Sequence, residues 1–174
     1  MSSIVSRPQA DEHNPYYSRY IELVPEGDII ETLRRQAGET TALLKNVSED
    51  RGNYRYAPDK WSVKEALGHV IDTERVFAYR AMRVARNDQT PLPGFEQDDY
   101  VRFGPFAKTS LKQLIEEFAA VRQASIALLS QLDEAAWTRR GTANNSPISV
   151  RALAFIMAGH ELHHRNIFKE KYRL

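Results

Sequence analysis

Four segments of this sequence repeat apolar residues at the 3.6-residue period of an α-helix, and no segment shows sustained two-residue alternation. The predicted helices begin at Asp28, Ser62, Ser110 and Ser149. The first is predicted to end near residues 50–52 and the second at about Asn87. Because each helix has one apolar face to bury, the pattern predicts an all-α fold, a four-helix bundle.

The predicted helix starts carry capping residues. A side chain that accepts from the free backbone amides is followed, three residues on, by one that can bond back to the cap. The three predicted capping boxes are Asp28 with Glu31, Ser62 with Glu65, and Ser110 with Gln113. These pairs support the predicted helix starts independently of the apolar period.

The connection between the second and third predicted helices is unusually long. It runs from Asp88 to Thr109, roughly 20 residues, whereas bundle connections usually have about 2 to 8. Long loops of this kind are often functional. Gln97, Asp98 and Asp99 within it are therefore candidates for substrate contact or proton transfer, with a solvated polar loop as the alternative.

Length and composition predict one domain without disulfides. The chain has 174 residues and no cysteine, so a metal must be held by nitrogen and oxygen ligands. We predict an N-terminal arm over residues 1–24 and a helical domain over residues 25–174. The arm is polar and lacks the apolar core of a secretory signal, which favours a cytoplasmic protein.

The charge balance bears on the class of partner. The formal net charge is +1, with 24 basic and 23 acidic residues, so no strong field attracts nucleic acid or an anionic membrane. We therefore expect a small-molecule substrate and neither a nucleic-acid nor a membrane partner.

Three of the five histidines lie within five positions of the fourth predicted helix. His160 and His164 are one turn apart and fall inside the apolar stripe, whereas His163 points toward its flank. Two buried imidazoles without partners would cost about 1 to 3 kcal/mol for each unsatisfied group. A divalent ion would satisfy both, because imidazoles at this spacing can bind one ion. A metal-free bundle with a polar core is the alternative.

A stable ion needs a further ligand, and His69 on the second predicted helix is a candidate. His13 in the N-terminal arm is a poor one. Glu74 faces the apolar side of the second helix, where it could orient a ligand imidazole or make a buried structural hydrogen bond. His163 is the other candidate for a supporting role beside the ligands.

Residues 160–164 also match the H-E-x-x-H pattern of zinc peptidases, with Glu161 at the acidic position. The ten residues that follow His164 in this sequence contain no further histidine and one acid, Glu170, which is too near on the same helix. A peptidase is therefore a minor alternative, and Glu161 is expected to support a ligand or to be exposed.

Several short motifs together resemble the DinB-like superfamily. They are the run 61–65 (Trp-Ser-Val-Lys-Glu), His69 after three further residues, the pair 159–160 (Gly-His) and the run 163–165 (His-His-Arg). The loop 91–100 is similar to that of one bacterial subgroup. The order and spacing of these motifs make the resemblance specific, and it covers most of the chain.

The resemblance implies a four-helix bundle of up-up-down-down topology with a long second connection that crosses over the bundle. It also implies a homodimer and one divalent ion per chain, zinc or nickel, bound by His69, His160 and His164. His163 matches a frequent non-ligand neighbour.

The activity that the resemblance implies is open. The superfamily includes transferases and isomerases that use low-molecular-weight thiols, and proteins described only as metal-dependent hydrolases. The sequence therefore predicts an enzyme whose metal activates water for hydrolysis or a thiol for transfer, with no catalytic side chain identified. A non-catalytic metal-binding or stress-response protein is the alternative.

Overall fold

Four long helices dominate the computed structural model, which describes residues 5–174. In chain order the helices are α1 (Ser18–Ile21), α2 (Ile29–Leu44), α3 (Glu49–Gly52), α4 (Val63–Ala85), α5 (Gln97–Phe103), α6 (Leu111–Leu129), α7 (Glu134–Thr138) and α8 (Val150–Glu170). Two 3-10 turns precede α1, at Ala10–Glu12 and Pro15–Tyr17, and two strands precede α8, β1 (Arg140–Ala143) and β2 (Ser146–Ser149).

The predicted starts of the four long helices are confirmed by their caps. The side chains of Asp28, Ser62, Ser110 and Ser149 accept from backbone amides in the first turns of α2, α4, α6 and α8. The capping boxes of α4 and α6 are complete, whereas Glu31 of α2 pairs with Arg34 instead of bonding back to its cap.

The predicted end of the first helix is wrong. Helix α2 ends at Leu44, and Ser48 then caps the separate short helix α3 by accepting from the Arg51 amide. A serine followed by two acidic residues favours a new helix start, and this local signal outweighs the continuation of the apolar pattern through Val47.

The helices α2, α4, α6 and α8 form a four-helix bundle, which confirms the predicted all-α fold. Helices α2 and α4 each pack against both α6 and α8, so α2 and α4 lie on one diagonal of the bundle. Within residues 5–174, none of the helices has the length and apolar content needed to cross a membrane.

Contacts between side chains give the helix directions. Helices α2 and α8 run parallel, because Gln36 donates to the Ala158 carbonyl and, one turn further on, Thr40 donates to Glu161. Helix α4 runs antiparallel to α8, because its start meets the end of α8 where the Tyr172 hydroxyl bonds to the chain just before α4.

Helices α4 and α6 also run parallel. Leu67, in the first half of α4, shares a core cluster with Leu114 of α6, whereas Val84 near the end of α4 shares another cluster with Leu129. The order of directions along the chain is therefore up, down, down, up.

This order corrects the up-up-down-down topology expected for the bundle, although the long crossover between the second and third long helices is confirmed. Up-up-down-down needs crossovers in the first and third connections. In this chain the connection that carries the crossover, 86–110, is the second, so it returns the chain to the end of the bundle at which α4 begins.

The crossover is more regular than predicted, because residues Gln97–Phe103 form helix α5. A short hairpin also occurs, although no segment of the sequence shows sustained two-residue alternation. Strands β1 and β2 pair around Asn144 and Asn145, whose φ angles are 49° and 58°. The crossover is anchored here, since Leu92 exchanges two backbone hydrogen bonds with the hairpin.

The N-terminal segment packs against the bundle over its described residues 5–24, and residues 1–4 of the predicted arm lie outside the described part. Helix α1 packs against α8. At the contact, a Cβ added to Gly159 would lie 1.9 Å from the Tyr20 carbonyl oxygen. The absence of a side chain at Gly159 therefore lets Tyr20 approach α8. The division into an arm and a domain stays a prediction.

We expect Gly159→Ala to destabilise the protein by about 3 kcal/mol, because the new methyl group would overlap backbone atoms that cannot rotate away. Gly38→Ala is the matched control, since a Cβ at Gly38 of α2 meets no atom within 4 Å. This control should be stabilising by about 0.5 to 1 kcal/mol. Urea unfolding measures both changes, and equal stabilities for the two variants would contradict the close contact of α1 with α8.

Candidate metal centre

Three histidines meet between helices α4 and α8. His69 lies on α4, and His160 and His164 lie one turn apart on α8. One ring nitrogen from each lies within 4.8 Å of the others, and the Nε2 atoms of His69 and His160 are 3.0 Å apart. All three side chains are buried.

Burial keeps these imidazoles neutral. It is the largest cause that lowers the pKa of His69 to about 4, and the nearby His163 lowers it further. Burial also holds the pKa values of His160 and His164 well below the usual range, with further lowering by neighbouring imidazoles. At neutral pH each ring therefore has an unprotonated nitrogen, which is the form that binds a metal.

Thr73 is suited to orient the His69 ring. Its hydroxyl oxygen is 3.4 Å from His69 Nδ1, one turn along α4. If Nδ1 carries the ring proton and donates to this oxygen, Nε2 is left with its lone pair directed at the other two histidines. Such an outer hydrogen bond commonly fixes the orientation of a ligand imidazole.

Aromatic rings surround the histidines. The Tyr20 ring meets His160 edge to face at a centroid distance of 5.4 Å, and Trp61 lies 4.7 Å from His69. Phe77 contributes a third ring, 6.4 Å from His160. These rings exclude water from much of the site and strengthen the electrostatic interactions inside it.

Two cavities adjoin the histidines. The first, of about 450 Å³, is lined by His69 and His160 and by residues of the N-terminal segment, the crossover and the hairpin turn. The second, of about 360 Å³, is lined by His164 and Trp61. Asp98 lines both cavities, so the start of α5 lies across the opening of the site.

The candidate loop residues differ in position. Gln97 and Asp98 line the first cavity together with His69 and His160. Asp99 lines neither cavity and instead forms an exposed ion pair with Arg102, one turn along α5. Two of the three residues selected from the sequence therefore adjoin the histidines.

Glu74 makes buried structural hydrogen bonds to Arg122, and it does not orient a ligand imidazole. Its two carboxylate oxygens share the single N–H of Arg122 Nε, at 2.8 and 3.0 Å, and one of them also accepts from Nη2 at 2.9 Å. Arg122 also donates to the Leu33 carbonyl and to Gln36, so the buried pair joins α2, α4 and α6. Within residues 5–174 no hydrogen bond joins Glu74 to a histidine; Thr73 occupies that position beside His69.

His163 and Glu161 flank the ligand candidates on α8. His163 is half-buried, with its ring 5.3 Å from that of Tyr20 and 5.2 Å from that of His164. Glu161 faces α2, where it accepts from Thr40 and burial raises its pKa. Glu161 therefore lines neither cavity, although a peptidase of the H-E-x-x-H type needs its glutamate at the reacting centre.

Several residues of the site were not selected from the sequence: Tyr20, Thr73, Arg80 and Asn144. Thr73 follows His69 by four residues and Arg80 follows it by eleven, so helical spacing could have placed all three on one face. The approach of Tyr20 and Asn144 depends on the folding of distant segments, which no local pattern indicates.

Comparisons with known proteins agree with this architecture. The family model for the DinB superfamily matches residues 32–168. YfiT from Bacillus subtilis, described as a probable metal-dependent hydrolase with an unusual four-helix bundle topology, superposes with a TM-score of 0.72. The sequences are 13% identical, and the match covers 97% of this chain and 92% of YfiT.

A second solved structure is also similar. It is a DinB-like protein, yjoA, from Bacillus subtilis, with a TM-score of 0.61 and 20% identity over 83% of this chain and 90% of that one. No curated protein matched the sequence. At these identities the two structures support the fold alone, whereas the family model covers most of the sequence, and the chain therefore belongs to the DinB superfamily.

Proposed function

We propose that this chain is a metal-dependent enzyme in which His69, His160 and His164 bind one divalent ion. The observation that carries the proposal is the meeting of three buried, neutral imidazoles beside a cavity of about 450 Å³. Ligands around a tetrahedral zinc ion lie about 3.3 Å apart, since zinc–nitrogen distances are about 2.0 to 2.1 Å. The 3.0 Å between His69 and His160 fits this spacing after a small rotation of either ring.

Zinc and nickel both suit a set of three imidazoles. Among residues 5–174 no fourth histidine or acidic side chain belongs to this group, so an exchangeable position would remain. When bound, such an ion lowers the pKa of water to about 7 and likewise favours the thiolate form of a thiol, which supplies a nucleophile at neutral pH.

Hydrolysis is the reaction that we propose first. Asp98 lies at the opening of both cavities, where its carboxylate can accept a proton, and Gln97 beside it can bond to substrate. Trp61, Tyr20 and Phe77 limit the access of bulk water. YfiT, described as a probable metal-dependent hydrolase, adds a fold-level analogy.

Transfer of a low-molecular-weight thiol is the second candidate. The first cavity is large and its walls include the aromatic rings of Tyr16, Tyr17 and Phe95, so it can enclose a substrate of several functional groups. A thiol needs less help from a general base than water does, since its pKa is closer to neutral. Homodimer formation stays a prediction from the resemblance.

We expect protein purified without chelator to hold close to one zinc or nickel ion per chain. His69→Ala, His160→Ala and His164→Ala should each lose most of this metal, because two ligands rarely retain an ion. His163→Ala is the matched control, since its ring neighbours the site without belonging to the three-histidine group, and it should retain the metal.

Elemental analysis of the five proteins measures the metal content, with circular dichroism as the check on folding. Equal loss in His163→Ala and the three ligand variants would contradict the assignment of ligands. A metal-free wild type whose melting temperature does not change on adding zinc or nickel would support the metal-free bundle instead.

We expect Asp98→Asn to lower turnover on the order of 100-fold without changing metal content, because the amide cannot accept a proton. Asp99→Asn is the control, since Asp99 lines neither cavity. The assay compares nitrophenyl esters with pairs of a small thiol and an alkylating dye. Equal turnover in both variants would contradict the role of Asp98, and no turnover of any substrate by metal-loaded protein would favour the non-catalytic alternative.

The stability of metal-free protein should fall as the pH is lowered from about 6.5 toward 4. The pKa of His69 is lowered to about 4 in the folded state, so over this interval the unfolded chain binds protons that the folded chain does not. The loss begins as the pH falls below about 6.5 and is complete once the pH is below the folded pKa of about 4. His160 and His164 act in the same direction.

Urea unfolding of chelator-treated protein between pH 7 and pH 5 measures this dependence. His69→Gln should show a shallower slope than the wild type, because one of the groups that titrate only on unfolding has been removed. Identical slopes would contradict the burial of a neutral His69. Zinc affinity of the folded protein should fall only as the pH approaches about 4, where protons begin to compete for His69.

A further inference from the structure

Arg80 is a buried arginine without a carboxylate partner in the described part of the chain. It lies on α4 and is 3% exposed. Its one hydrogen bond among residues 5–174 runs from Nη2 to the Pro93 carbonyl, at 2.6 Å. The donors at Nε and Nη1 have no protein acceptor there.

Arg122 is the other arginine among residues 5–174 that is buried to this extent, and its charge is paired within the protein. Glu74 neutralises it by accepting from Nε and Nη2, and Leu33 and Gln36 accept from its remaining nitrogen. A buried charge without such compensation is unfavourable. Arg80 has no such carboxylate among the described residues, and its Nε and Nη1 atoms are open to the cavity, where water or a ligand can accept from them.

Arg80 lines the same cavity as His69 and His160. It follows His69 by eleven residues, about three turns, so both side chains lie on one face of α4. Their Cα atoms are roughly 16 Å apart along the helix axis, at 1.5 Å per residue. The cavity therefore has His69 and His160 at one end and a cationic donor group toward the other.

The surroundings of Arg80 limit its movement. Its guanidinium carbon lies 5.8 Å from the ring centroids of both Phe77 and Phe95. The bond to the Pro93 carbonyl fixes one end of the planar group. A preorganised guanidinium with free donors binds carboxylate or phosphate oxygens in pairs, at little further cost in side-chain entropy.

We propose that Arg80 binds the anionic group, a carboxylate or a phosphate, of an elongated small-molecule substrate whose reacting end lies at the three histidines. This inference rests on the proposed function for the reacting end, whereas the anion site itself does not require the ion. Asn14, Asn144 and Ser146 line the same cavity and offer further donors.

Acidic residues at the cavity opening do not oppose this assignment. Glu96 and Asp98 also line the cavity, but both are exposed, so water and salt screen their charges. Arg80 is enclosed, where an ion pair with a ligand is stronger than at the surface.

The test measures the binding of inorganic phosphate and of succinate to wild type, Arg80→Gln and Arg80→Lys by isothermal titration, with ionic strength held constant by sodium chloride. We expect Arg80→Gln to bind the preferred anion at least about tenfold more weakly. Arg80→Lys should fall between the two, because lysine keeps the charge and loses the paired donors. Arg86→Gln, an exposed arginine at the end of α4, is the matched control and should bind as the wild type does.

Each protein is measured both after chelation and after loading with zinc. Tighter phosphate than succinate binding assigns a phosphorylated substrate, and the reverse assigns a carboxylate. Unchanged affinity in both Arg80 variants, or no binding by the wild type, overturns the inference and leaves water as the partner of Arg80. The Lys variant keeps the test valid if the Gln variant does not fold, which circular dichroism reports.

The two proposals can fail separately. If no ion binds but anion affinity depends on Arg80 in chelated protein, the anion site stands and the metal enzyme does not. If zinc binds at the histidines and the anion affinity is the same in all variants, the metal centre stands and the anion site does not.

Discussion

The antiparallel contact between α4 and α8 is the interaction on which the rest of the site depends. His69 meets His160 and His164 only because these two helices pack along most of their length. Behind this contact, the buried pair of Arg122 and Glu74 joins α4 to α6 and, through backbone and amide acceptors, to α2. The position of the histidines is thus fixed by the whole bundle rather than by one loop.

The segments between the long helices give this bundle its cavity. The crossover brings Gln97 and Asp98 across the histidines, and the hairpin anchors the crossover through Leu92. On another side, α1 is held close to α8 because Gly159 has no side chain, and Tyr20 covers His160 as a result. The bundle supplies the ligand candidates, whereas the connections supply the walls that a substrate would meet.

The sequence predicts those features of the structure that depend on local sequence patterns. Apolar period and capping residues locate the starts of all four long helices, and one-turn spacing identifies the imidazoles of α8. The hairpin was missed because its strands have four residues each, although the adjacent Asn144 and Asn145 favour a tight turn with positive φ. The up-up-down-down order that the resemblance implies is wrong, although the long second connection is consistent with a chain that returns to the start of α4.

The buried polar side chains differ in whether other protein groups satisfy their charges and hydrogen bonds. Arg122 and Glu74 satisfy each other's hydrogen-bonding groups, so this pair needs no ligand. Their ion pair joins helices α4 and α6. His69 and its two neighbours on α8 are neutral and bring their ring nitrogens close together, which suits a cation. Arg80 in the same cavity has free donors and suits an anion. A substrate that carries an anionic group and reacts at a metal ion would satisfy both ends of the cavity at once.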